Sequence, residues 1–108
     1  MWIFTKHGFL SIVQHKYEPE LFQVKARDPE PLQKLFSDYE MIIIDWADYR
    51  YRVEVPREEV MKRVSQIVDD VRYTSYKDEC EDDLFHRALV RIWNVMYRFQ
   101  QKRLEGII

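Results

Sequence analysis

Polar and apolar positions alternate from Ala47 to Val55. Ala47, Tyr49, Tyr51, Val53 and Val55 share one parity, and Asp48, Arg50, Arg52 and Glu54 share the other. A period of two predicts a strand with one buried face. Just upstream, Met41–Ile44 is an unbroken apolar run, which predicts a central strand covered on both faces. The two segments read as neighbouring strands joined around Asp45-Trp46. Two aromatic and β-branched runs, Trp2–Thr5 and Phe9–His15, flank Lys6-His7-Gly8 and predict a hairpin, with Gly8 free to take the positive φ of a tight turn. After a charged loop over Lys16–Glu20, the stretch Phe22–Arg27 alternates again. It predicts a third strand with Gln23, Lys25 and Arg27 on its polar side.

Helical spacing marks three further segments. Asp28 stands at an N-cap position, with Pro29 and Pro31 tolerated only in a first turn, and Leu32, Leu35 and Phe36 follow at helical intervals. Pro56 opens a second helix whose apolar positions Val60, Met61, Val64, Ile67, Val68 and Val71 recur at three and four residues. Glu58 and Glu59 suit its positive end. The segment Arg72–Lys77 is rich in β-formers and predicts a last strand or an extended connector. From Glu79 to Leu104 a third, longest helix carries Leu84, Phe85, Ala88, Leu89, Ile92, Trp93, Met96 and Phe99 as a wide apolar stripe, with Lys102 and Arg103 near its negative end. From Phe22 onward the order is strand, helix, strand, strand, helix, strand. The fold expected is α+β, a ferredoxin-like βαββαβ antiparallel sheet with an added N-terminal β-hairpin and a long C-terminal helix.

Composition narrows the class. The 108 residues fit one domain, and 46% hydrophobic with 33% charged residues describes a globular chain rather than a disordered one. The formal charge of -2 gives no global reason to expect nucleic acid or an anionic membrane as partner. A single cysteine, Cys80, excludes an internal disulfide and points to a reducing, cytoplasmic setting. The opening residues lack the basic lead and continuous apolar run of a signal peptide, and no run reaches the length of a membrane span.

Candidate chemistry is sparse. His7, His15 and His86 fall on three different elements without metal-ligand spacing, so no metal and no cofactor is expected. Cys80, Glu81, Asp82, Asp83 and His86 do cluster, but as a charged helix start, and the acids oppose formation of a thiolate at Cys80. The sharper set is the polar side of the sheet. Lys25, Arg27, Arg50 and Arg52 share a parity that can gather four cations, with Asp48 among them and Lys77 as a further ligand-binding candidate. Such a set suits a small anionic ligand, whereas cross-strand ion pairing is the plainer alternative. An RNA-recognition face is disfavoured, because Tyr49 and Tyr51 point to the opposite side from the arginines. A small enzyme would draw on Asp48, Arg52, Lys77 or His86.

Three tryptophans, seven tyrosines and six phenylalanines exceed what one small core can bury. Trp2, Phe4, Trp46, Trp93 and Tyr97 are therefore interface candidates, and a homodimer or another protein partner is expected. The segments MWIFTKHGFLSIV, ADYRYR at Ala47–Arg52, YTSYK at Tyr73–Lys77 and ALVRIWNVM resemble a group of small bacterial proteins of unknown function. The resemblance implies a single-domain bacterial cytosolic protein and assigns no activity. The expectation that remains is a small non-enzymatic dimeric module.

Overall fold

The computed structural model describes residues 1–106. They fall into two compact units, Met1–Arg72 and the stretch from Tyr73 onward. The first unit holds a five-stranded antiparallel sheet: β1 (Trp2–Thr5), β2 (Gly8–Gln14), β3 (Leu21–Ala26), β4 (Ile42–Ile43) and β5 (Tyr51–Pro56). Their spatial order is β1-β2-β3-β5-β4. Two helices, α1 (Glu30–Leu35) and α2 (Arg57–Asp69), pack on one face of it.

Alternation explains the packing. Leu10 and Ile12 on β2, Val24 and Ala26 on β3, and Val53 and Val55 on β5 all point to the helical face. There they meet Leu32, Phe36 and Val60, and the whole set is buried. Each of the larger side chains contributes about 1.5–3 kcal/mol on burial, and with Ala26 they make the core. At the β1–β2 turn the Thr5 hydroxyl donates to the Gly8 carbonyl at 2.8 Å and accepts from the His7 N–H at 3.2 Å. Gly8 itself has φ +142°, and a Cβ there would lie 2.9 Å from Cγ of the buried Pro31, so this turn is fitted closely against α1. Arg63 ties α2 to the end of α1. It donates to the Leu35 carbonyl and Glu59 at 3.0 Å each, and to both Asp38 oxygens at 2.6 Å. These bonds hold the Asp38 carboxyl below the usual aspartate range.

The expected α+β class, the N-terminal hairpin, the antiparallel sheet and the long last helix are all present. Three expectations are corrected. Met41–Ile44 does not make a central strand: only Ile42–Ile43 pair, at the sheet edge, and Ile43 is 57% exposed. The middle is taken by β3 and β5, whose six-residue ladder satisfies far more backbone than a two-residue strand can. The βαββαβ order is also left incomplete. Residues 71–75 are irregular and Tyr76–Glu79 is a short helix, α3, so no strand follows α2. The place beside β3 that a fourth ferredoxin-like strand would fill is held by β2, already paired there with Val24 opposite Ile12. Finally, the last helix, α4, spans Asp83–Gly106 rather than beginning at Glu79. Cys80 is extended (φ -80°, ψ 111°), and the Asp82 carboxylate accepts the Phe85 N–H at 3.0 Å, so Asp82 caps a new helix.

Candidate functional site

Strand register decides which polar residues meet. On the sheet face away from α1 and α2, one row runs Trp2, Ser11, Lys25, Arg52, Ile42, each opposite the next across the ladder. Lys25 and Arg52 thus stand directly opposite each other, a pairing of like charges that costs stability when nothing lies between them. Arg52 donates through Nη2 to the Tyr49 carbonyl at 2.8 Å, while its buried Nε has no hydrogen-bond partner among the described residues. The other two cations are already paired. Arg27 bonds Asp48 at 3.0 Å and lies 4.2 Å from the Tyr49 ring centroid, and Arg50 bonds Asp45 at 2.9 Å. Both ion pairs are exposed, and such pairs contribute little. Asp48, Arg50 and Tyr49 lie in the 44–50 loop and not in β5, so the expected row of four cations resolves into one close pair and two neutralised arginines. Lys77 belongs to the second unit, where its Nζ lies 5.1 Å from the Trp93 ring centroid.

Beside the cationic row, Phe9 organises an aromatic cluster. Phe4 stacks on it at 4.6 Å, Trp2 meets it edge-on at 5.5 Å and Tyr49 is 6.3 Å away. Trp46 stands alone in its loop at 88% exposure. His15 was not among the site candidates, yet it organises the β2–β3 connection. Its Nδ1 accepts the N–H groups of Tyr17 and Glu18 at 3.1 Å, and its Nε2 meets Glu54 at 3.1 Å.

A shallow groove of about 340 Å³ is lined by Lys34, Leu35, Glu59, Lys62, Arg63, Gln66, Ile67 and Asp70, and includes none of Asp48, Arg52, Lys77 or His86. Among the described residues no group of three or more histidine, cysteine or acidic side chains is arranged to hold a metal ion. Cys80 is buried, its S–H donates to the Tyr76 carbonyl at 3.4 Å, and burial pushes the thiol pKa up. Burial likewise raises the Tyr76 phenol, with the Cys80 thiol adding to the shift. Neither group is poised as a nucleophile.

A broad apolar surface lies on α4. At 1.5 Å per residue its 24 residues extend about 36 Å, far beyond the reach of the four-residue α3 that packs on it. Only Leu89 is buried on the whole helix. Ile92, Trp93, Val95, Met96, Tyr97, Phe99 and Leu104 are each between 37% and 64% exposed. Trp93 and Tyr97 stack on each other at 5.3 Å with nearly parallel rings. Of the five interface candidates, then, Trp2 and Phe4 join the sheet cluster, Trp46 is isolated, and Trp93 and Tyr97 share the α4 surface. No described helix is long and apolar enough to cross a membrane. No family model, curated protein or solved structure matches this chain.

Proposed function

We propose that this chain is a non-enzymatic protein-interaction module whose working surface is the apolar face of α4. The observation that carries the reading is the run of large apolar side chains left exposed from Leu84 to Leu104 on one helix. Helices in proteins gain most of their stability from tertiary packing of an apolar face, so an apolar face left unpacked over several turns is matched to a partner. Contiguous exposed apolar surface of this kind marks protein-docking sites. The buried Cys80, whose thiol burial keeps protonated, supports the non-enzymatic part. The single cysteine supports a cytoplasmic setting.

A photo-cross-linking amino acid placed at Met96 of the full chain, in the cells that make the protein, tests this. The module reading expects a protein adduct from position 96 and none from Tyr17, an exposed residue of the first unit. Equal yields from both positions, or no protein adduct from 96, would sink it. A second reading, anion binding, draws on Lys25 facing Arg52 and on the unpartnered Arg52 Nε. It expects heparin binding that weakens steeply with salt and is lost in Arg52→Gln; binding unaffected by that change removes it.

A further inference from the structure

The order of residues along α4 says more about its partner than the apolar stripe alone. Taking Ile92 as a centre, the positions seven residues away on either side are Phe85 and Phe99. Four residues away lie Ala88 and Met96, and three residues away lie Leu89 and Val95. At 3.6 residues per turn these seven side chains fall within about 60° of the line through Ile92, symmetrically about it. The stripe is therefore close to palindromic in position and in apolar character.

Charge follows a complementary rule. The approach to the helix carries Asp78, Glu79, Glu81, Asp82 and Asp83, whereas from Leu84 to Leu104 there is no carboxylate at all and Arg87, Arg91, Arg98, Lys102 and Arg103 supply the charge. One end is acidic and the other basic. Ten residues before and after Ile92 stand the cap residue Asp82 and Lys102; Glu81 lies just before the helix, and Glu105 follows Arg103 in its last turn.

We infer that the partner of this face is a second copy of the chain, with the two α4 helices antiparallel and crossing at Ile92. The inference rests on the module reading and names its partner. A two-fold axis at Ile92 brings half-buried Phe85 level with Phe99 of the other copy and small, exposed Ala88 level with large Met96, while Leu89, already buried within its own chain, lies behind the position level with Val95. These are the alternating layers by which paired helices interdigitate. The same axis sets the acidic approach of each helix against the basic last turns of the other, twice per dimer, as an isologous interface requires. A parallel pair would place acid beside acid and base beside base, which is destabilising. The area is adequate. Phe99, Met96, Val95, Ile92 and the rim residue Trp93, each roughly 40–60% exposed, offer about 500 Å² per copy. The pair thus reaches about 1,000 Å², the size from which specific interfaces begin.

The test uses two full-length charge variants, Lys102→Glu/Arg103→Glu with acid at both ends and Glu79→Lys/Glu81→Lys with base at both ends. Association is read by sedimentation equilibrium and folding by far-UV circular dichroism. Wild type is expected to dimerise reversibly at micromolar concentration, and each variant alone to dimerise about tenfold or more weakly. An equimolar mixture of the two is expected to recover at least the wild-type affinity as a heterodimer. The mixture guards against misfolding, because two unfolded variants do not rescue each other. Wild type that is monomeric throughout, or a mixture no tighter than its components, overturns the inference. So does a monomer whose α4 instead binds vesicles containing phosphatidylserine. An in-cell adduct from position 96 to a different protein, with a monomer in solution, would leave the module reading standing and remove only the self-pairing.

Discussion

Replacing Gly8 with alanine isolates the contact on which the β1–β2 hairpin rests. The new Cβ meets two obstacles. Gly8 has φ +142°, a conformation that costs an L-residue about 1–3 kcal/mol. The Cβ would also lie 2.9 Å from Cγ and 3.0 Å from Cδ of Pro31, a rigid ring buried in α1. Overpacking of that kind costs about 1–3 kcal/mol, since neither the ring nor the turn has room to give. The total, about 2–6 kcal/mol, is a large part of the roughly 5–15 kcal/mol that holds a domain of this size folded. Urea unfolding followed by circular dichroism should show the midpoint falling with the slope unchanged, and thermal unfolding a drop of about 10 °C or more. The double variant Gly8→Ala/Pro31→Ala separates the causes. It removes the two closest ring atoms and leaves only Cβ of residue 31, at 3.3 Å, so the collision should be largely relieved while the φ cost remains. A Gly8→Ala protein as stable as wild type, or one whose deficit is untouched by Pro31→Ala, would refute this reasoning.

Two further predictions concern titratable groups. Arg63 lowers the Asp38 pKa in the folded chain, so the stability this pair contributes is full above the ordinary aspartate pKa and is lost as pH falls through the lowered folded value. The urea midpoint of Asp38→Asn should therefore lie below wild type at pH 7, and the gap should narrow progressively as pH falls below the ordinary aspartate range; a difference that persists unchanged into acid contradicts the assignment. Cys80, buried with its thiol pKa raised, should react with Ellman's reagent on the order of 100-fold more slowly in the native protein than in urea, at a rate set by local opening. Immediate native labelling would show the thiol accessible after all.

The parts of the fold that were legible in the sequence are those where one period dominates. Val53 and Val55 against Arg52 and Glu54 name the face and the strand, and the same holds for Val24 and Ala26. Met41–Ile44 misleads because an apolar run states hydrophobicity without stating position, and an edge strand on an amphipathic loop can be as apolar as a central one. The tyrosines of Arg72–Lys77 have β propensity, but the sheet position that propensity anticipates was already occupied by β2, so tertiary pairing overrode it. For the site, residue parity correctly put Lys25 and Arg52 together. It failed for Arg27, Asp48 and Arg50 because alternation says nothing once the chain leaves the strand for a loop. The role of His15 left no signal in spacing, since its partners are two nearby backbone N–H groups and Glu54, which only the fold brings within 3.1 Å. The charge polarity of α4 and its symmetry about Ile92 were present in the sequence throughout. They acquire meaning only when the helix is seen to leave that stripe exposed.

Single cysteines introduced along α4, in a Cys80→Ala background, decide whether this helix pairs with a second copy of itself. With two helices antiparallel about Ile92, Phe85→Cys alone and Phe99→Cys alone should form little disulfide-linked dimer on mild oxidation, while a mixture of the two should link efficiently. Self-linking at 85 and at 99 without linking in the mixture would mean a parallel pair. No linking in any combination would mean that α4 does not meet a second copy of itself.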